Sequence, residues 1–169
     1  MPSSTRLAHR MARQAAEIIP RGVHGCVIEV GAGTGAITGV LANLIPHARL
    51  MLIEADPACC QYLHRKFPQA EIVEGLVEDL RQRLPTLCHR LAVVSSVPLF
   101  SLKPAQRDRV LGAFESLVEQ AAVARVVQYT YVPWLPGPQA RKLCGHAVQS
   151  VWQNVPPAWV WSSTHYAPV

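Results

Sequence analysis

The stretch from residue 26 to residue 44 limits the possible folds more than any other part of the chain. Cys26-Val-Ile-Glu-Val30 is an almost unbroken apolar run, Gly31-Ala-Gly-Thr-Gly35 places glycine at every second position, and Ala36–Leu44 reads as a helix. A short apolar run bounded by turn residues predicts a strand covered on both faces. Glycine permits backbone dihedrals and close ligand approach that a Cβ would block. The loop N–H groups and the helix start together offer a polar, partly positive cradle.

The same alternation continues. A first helix is predicted from a cap at Ser3, Ser4 or Thr5 to about Ile19, stopped by Pro20. After the glycine turn, strands are predicted at Leu50–Ile53, Glu71–Val73, Leu91–Ser95 and Ala124–Tyr131. Helices are predicted at Pro57–Phe67, Val77–Leu84, Gln106–Gln120 and Gln139–Gly145. Val148–Gln153 and Trp159–Ser163 read as a closing antiparallel pair. Alternation of this kind predicts an α/β, Rossmann-like fold, a mostly parallel sheet with helices on both faces. Half of the 169 residues are hydrophobic and 16% are charged, which excludes a disordered chain and fits one domain over 1–169. No apolar run approaches the roughly 20 residues that cross a bilayer. Met1–Pro20 has scattered arginines and no apolar centre, so no secretory leader is expected and the protein is expected to be soluble and cytoplasmic.

In open parallel sheets the ligand lies beyond the carboxyl ends of the strands, so residues that follow strands are the candidates. Read through Ala36, the glycine turn formally satisfies a dinucleotide fingerprint. Read as acid-x-G-x-G-x-G, it resembles the first motif of class I S-adenosylmethionine methyltransferases. Glu29 favours the second reading, because a carboxylate there suits a cationic amino group and would repel a pyrophosphate. Glu54 ends the second strand about 20 residues further on, where an acid accepts ribose hydroxyl protons. Asp56 is expected to cap the helix that starts at Pro57.

Further motifs carry a more specific resemblance over nearly the whole chain. Pro2-Ser-Ser-Thr-Arg-Leu-Ala8 resembles the start of the core domain in bacterial phospholipid N-methyltransferases. Val94-Ser-Ser-Val-Pro-Leu99 is similar to their V-S-G-L-P-L motif, Gln128-Tyr-Thr-Tyr-Val-Pro133 to Q-F-T-Y, and Asn154-Val-Pro-Pro-Ala158 to N-x-P-P-A. The resemblance implies a seven-stranded class I methyltransferase sheet with an antiparallel closing strand. It also implies S-adenosylmethionine as cofactor, S-adenosylhomocysteine as product, and an amino headgroup such as that of phosphatidylethanolamine as acceptor. Carried onto this chain, it implies a cofactor site of Glu29, Gly31, Ala32, Gly33, Thr34, Gly35, Glu54, Ala55, Leu76, Val77 and Ser95. Leu76 is a departure, since the family usually has an acid there for the adenine amino group; Glu78 and Asp79 are the nearby substitutes. More distantly, the chain is similar to ribosomal RNA adenine dimethylases.

Methyl transfer from a sulfonium is an in-line displacement that rests largely on positioning. The acceptor amine must be neutral and gains positive charge as it reacts. Carbonyl groups near Ser95, Ser96 and Pro98 are candidates to orient it, and Tyr129 and Tyr131 to stabilise the developing cation. Strand alternation puts the two tyrosines on one face. Trp134 is a candidate either for the acceptor pocket or for loop packing.

In the first helix Arg6, Arg10 and Arg13 flank the apolar stripe Leu7, Met11, Ala15 and Ile18. With Arg21 they suit either a lid over the cofactor or a helix lying peripherally on the inner face of an anionic membrane. The formal charge of +5 leaves nucleic acid open as a partner. RNA or small-molecule amine methylation, and a catalytically silent cofactor-binding module, stand as alternatives. Cys26, Cys59, Cys60, Cys88 and Cys144 contain no C-x-x-C pair, so no metal and only reduced thiols are expected.

Overall fold

The computed structural model describes residues 5–79, 88–131, 144–152 and 157–167. The elements in chain order are α1 (Thr5–Ala16), β1 (Cys26–Val30), α2 (Ala36–Leu44), β2 (Arg49–Glu54), α3 (Pro57–Lys66), β3 (Glu71–Glu74), β4 (Arg90–Ser95), α4 (Pro104–Val118), β5 (Val123–Thr130), β6 (Cys144–Val151) and β7 (Ala158–Tyr166). Single 3-10 turns lie at Val77–Asp79 and Leu99–Ser101.

The strands form one seven-stranded sheet in the order β3-β2-β1-β4-β5-β7-β6. The first five are parallel, and β7 runs antiparallel to both β5 and β6. Chain order turns back at β1, whose neighbours are β2 and β4. That reversal opens a crevice at the carboxyl ends of β1 and β4.

Residue alternation along β1 divides the core. Cys26, Ile28 and Val30 pack towards Val110, Phe114 and Leu117 of α4, whereas Val27 packs towards α1 and α2. On β2, Leu52 meets Leu63 of α3, which lies on the α1–α2 side. Helices therefore cover both faces. The stripe of α1 is consumed here: Leu7, Met11 and Ala15 are fully buried against the sheet and α2. A large apolar side chain so buried contributes about 1.5–3 kcal/mol. Gln14 anchors the helix further, accepting from Ser162 Oγ at 2.8 Å and, through its carbonyl, from Arg125 Nη1 at 3.0 Å. What α1 leaves to solvent is basic: Arg6, His9, Arg10 and Arg13 are exposed.

Four expectations are corrected. α1 gives way after Ala16, where the Ile18 and Ile19 amides bond three residues back and tighten the chain ahead of Pro20. α4 begins at Pro104, two residues early, because proline suits a first helical position and Gln106 accepts from the Lys103 amide. Cys144 and Gly145, expected to end a helix, start β6 instead, since pairing with β7 overrides local preference. The rest of that expected helix, 139–143, and residues 80–84 of the expected helix Val77–Leu84, lie outside the described residues. Finally, Cys26 and Cys88 are joined as a disulfide with Cα atoms 5.6 Å apart, against the expectation of free thiols. Neighbouring parallel strands bring their starting ends together, which a separation of 62 residues conceals in the sequence.

Candidate active site

The glycine turn is shaped by three different demands. Gly35 has φ +76°, and a Cβ there would sit 2.3 Å from Phe67 Cε2, so α2 can approach α3 only without a side chain. Gly33 has φ +55° and nothing within 4 Å of its would-be Cβ, so that position faces open space. A Cβ on Gly31 would meet the Ser96–Val97 peptide at an ordinary 3.7 Å, so it is the backbone, at φ +75°, that calls for glycine there. One glycine thus serves packing, one leaves open space beside the loop, and one serves a left-handed backbone at the strand end.

Glu54 ties the second strand end to the loop. Its Oε2 accepts from the Gly33 amide at 2.7 Å and its Oε1 from the Asp56 amide at 2.9 Å. Asp56 in turn caps α3 by accepting from the Ala58 amide at 2.8 Å, as expected. Thr34 is exposed, with its carbonyl accepting from Lys66 Nζ, while Ala32 is buried against Leu52 and Leu63.

Glu29 lies deeper than a residue beside the loop would. It is 1% exposed, and its Oε2 accepts from Thr38 Oγ1 at 2.7 Å. Burial outweighs that hydrogen bond and pushes its carboxyl up to about 8. At neutral pH, with no cation beside it, the acid is therefore largely protonated.

A cavity of about 180 Å³ opens at the carboxyl ends of β1 and β2. Gly31, Glu54, Ala55, Leu76 and Val77 line it, together with Glu78. Asp79 is exposed and is not among the lining residues. Leu102, Gln106 and Val110 close the far wall. These three carry no motif, and only the packing of α4 across the sheet brings them here. A larger cavity of about 530 Å³ lies towards the amino ends of β1 and β2, lined by Leu41, Ile45, Leu50 and Phe67. It contains no predicted site residue.

Beyond β4 the chain turns tightly. Ser95 is fully buried and its Oγ accepts from the Val97 amide at 3.2 Å, while the Ser96 amide donates to Val30 O at 2.8 Å. The Pro98 carbonyl accepts from the Ser101 amide at 2.8 Å, so it is engaged within the turn. Among the described residues no donor reaches Ser96 O. On β5, Tyr129 and Tyr131 meet edge to face with ring centroids 5.4 Å apart, as same-face placement requires. Tyr131 follows the strand and is exposed; Tyr129 is half-buried against the α1 side. Trp152 at the end of β6 is 70% exposed and meets Trp159 edge to face, whereas Trp161 is core. Trp134 and residues 154–156 lie outside the described residues.

No family model matches the sequence. The chain is 33% identical over 141 residues to the ornithine lipid N-methyltransferase of Singulisphaera acidiphila, a match covering 79% of this chain and 70% of that protein. It is 31% identical over 86 residues to the ribosomal RNA small subunit methyltransferase H of Coprothermobacter proteolyticus, covering 49% of this chain and 27% of the relative. Among solved structures, a TehB-like S-adenosylmethionine-dependent methyltransferase of Corynebacterium glutamicum superposes with TM-score 0.62 at 20% identity, covering 90% of this chain and 85% of that one. The magnesium protoporphyrin IX methyltransferase of Synechocystis, solved with bound S-adenosylmethionine, superposes with TM-score 0.63 at 10% identity, covering 94% and 79%. The two structural likenesses speak for the fold, and the match to the lipid enzyme speaks for the family. The chain belongs to the class I S-adenosylmethionine-dependent methyltransferases, in the family of the ornithine lipid N-methyltransferase, and S-adenosylmethionine is its methyl donor.

Proposed function

We propose that the protein N-methylates the amino headgroup of a membrane lipid of the phosphatidylethanolamine or ornithine-lipid type. The observation that carries this reading is the match to a lipid N-methyltransferase across most of the chain.

The residues fit the cofactor. Leu76 and Val77 flank a cavity that suits a purine, with Glu78 in place of the usual acid to accept from the adenine amino group. Ala55 and Glu54 take the ribose side, since each Glu54 oxygen accepts one amide and has a lone pair left for a hydroxyl. The open position at Gly33 admits the amino-acid end, with Thr34 at its edge. Glu29, Ala32 and Gly35 support that end from beneath: Glu29 through Thr38 and as a counter-charge, the other two by packing. Ser95 serves the cofactor indirectly, by shaping the turn that Gly31 touches.

S-adenosylmethionine supplies an electrophilic methyl group on a sulfonium. The neutral amine forms the new N–C bond as the S–C bond breaks, the bonding pair stays on sulfur, and the ammonium proton passes to solvent. In this reading Ser96 O, which no described donor reaches, accepts from the amine N–H, with Pro98 shaping the turn. Tyr131, aided by Tyr129, offers its ring or hydroxyl to the developing cation.

The exposed Arg6, Arg10 and Arg13 of α1, with Trp152 and Tyr131 exposed at the ends of β6 and β5, suit an anionic membrane surface. No helix among the described residues is long and apolar enough to cross a membrane. A tritiated-methyl assay offering ethanolamine-lipid vesicles, bulk RNA and small amines in parallel tests this reading, with label expected in the lipid. Label in RNA would favour the likeness to the ribosomal RNA enzyme. No label, with normal cofactor binding, would indicate a silent binding module.

A further inference from the structure

We infer that Ser95 and Gln128 form a positioning clamp that holds the turn after β4 and so aims the Ser96 carbonyl at the acceptor amine. The inference rests on the N-methyltransferase reading above for what that carbonyl does.

The two residues are register partners on adjacent parallel strands. Both are buried, Ser95 at 0% and Gln128 at 2% exposure. They grip Val97 from its two ends. Ser95 Oγ accepts from the Val97 amide at 3.2 Å, and Gln128 Nε2 donates to Val97 O at 2.8 Å. The Ser96 carbonyl belongs to the same planar peptide as the Val97 amide, and in a trans peptide C=O and N–H point opposite ways. Fixing that N–H on Ser95 therefore fixes where Ser96 O points. Gln128 holds the next peptide, so the turn cannot rotate as a unit.

The energetics of Gln128 point the same way. Its Nε2 also donates to Tyr129 O at 3.0 Å, so two carbonyls settle which end of the amide is nitrogen. That leaves Oε1 buried and without a partner among the described residues. An orphaned buried acceptor is a cost to the fold, which the two bonds made by the nitrogen have to offset. The contribution of this side chain therefore lies in what its nitrogen holds. Gln128 also opens the Gln128–Pro133 motif, in which Tyr129 and Tyr131 have a proposed role and Gln128 otherwise has none.

The test compares Ser95→Ala, Gln128→Met and the double variant, with Ser95→Thr as the hydroxyl-retaining rescue. Calorimetry with S-adenosylhomocysteine is expected to show at most about a fivefold weakening, passed on through Val97 on the cavity wall and smaller than the loss in kcat. With lipid vesicles, kcat is expected to fall about tenfold to a hundredfold with acceptor KM little changed, the signature of lost positioning. The double variant should be no worse than the poorer single variant, and Ser95→Thr should recover most of the rate. Singles that keep wild-type kcat, or losses that multiply in the double variant, would overturn the clamp. Should wild type methylate none of the acceptors offered, the function reading fails and amide hydrogen exchange at Val97 and Leu99 decides. The Leu99 amide donates to Val97 O at 2.8 Å, so it reports on the same turn. Exchange about tenfold faster in both single variants sustains the clamp, and unchanged exchange refutes it.

Discussion

The Glu54 carboxylate holds the Gly33 amide at 2.7 Å, which makes the end of β2 and the glycine loop of β1 one mechanical unit. The acid proposed for the ribose therefore also shapes the loop proposed to receive the rest of the cofactor. Glu54→Ala should weaken S-adenosylhomocysteine binding by about tenfold to a hundredfold, the range set by losing hydrogen bonds to a charged group. Glu54→Gln, which keeps an acceptor for one amide, should lose less. Calorimetry on the two variants checks both the size and the order of these effects.

The glycines of the loop should separate stability from binding. Gly35→Ala meets both a left-handed backbone and the Phe67 ring, so its melting temperature should fall well below wild type, and Phe67→Ala should restore part of the loss. Gly33→Ala meets the backbone term alone, about 1–2 kcal/mol, while its methyl group enters the ligand's space. Its fold should persist and its affinity for S-adenosylhomocysteine should fall. Thermal melts with and without the ligand distinguish the two.

Protonation of Glu29 should make cofactor binding pH-dependent. Its carboxyl is raised from 4.5 to about 8 by burial, so the folded state holds a proton that the unfolded state releases across that window. The contribution of Glu29 to stability is thus fully present below about pH 4.5 and is lost as pH rises through about 8. A bound cation favours the ionised form, so affinity should weaken about tenfold or more from pH 7.5 to pH 6 as the proton has to be displaced. Glu29→Gln should bind more weakly at pH 7.5 and show a flat profile over that range. Calorimetry in buffers of different ionisation enthalpy would count the proton released.

At the end of the cavity proposed for adenine, Glu78 lines the wall and Asp79 does not. Glu78→Ala should raise the dissociation constant for S-adenosylhomocysteine by about tenfold to a hundredfold, the worth of one hydrogen bond to a carboxylate. Asp79→Ala should leave it unchanged. Titration of the two variants side by side decides which acid stands in for the residue that Leu76 replaces.

The sheet was legible because its strands are short apolar runs with turn residues between them, and because the glycine turn after Val30 marks where the first strand ends. Glu54 and the Asp56 cap were legible for the same reason: strand ends and helix starts have local chemical signatures. What the sequence concealed depends on contacts distant along the chain. Leu102, Gln106 and Val110 reach the cavity only because α4 crosses the sheet, and Cys26 meets Cys88 only because β1 and β4 are neighbours. The stripe of α1 fits a helix buried on a sheet as well as a helix lying on a membrane, and periodicity alone does not separate the two. Gln128 carried a motif but no role until its amide was found on Val97 O.

The most direct test of the proposed chemistry is the mass of the lipid itself. Protein, S-adenosylmethionine and vesicles containing ethanolamine and ornithine lipids are incubated together, and headgroup fragments are read by tandem mass spectrometry. A headgroup fragment heavier by one CH2 unit, a methyl in place of a hydrogen, formed by wild type and absent with Gly33→Val, is the expected result. Unmodified headgroups from a protein that binds S-adenosylhomocysteine normally would contradict lipid N-methylation at this site.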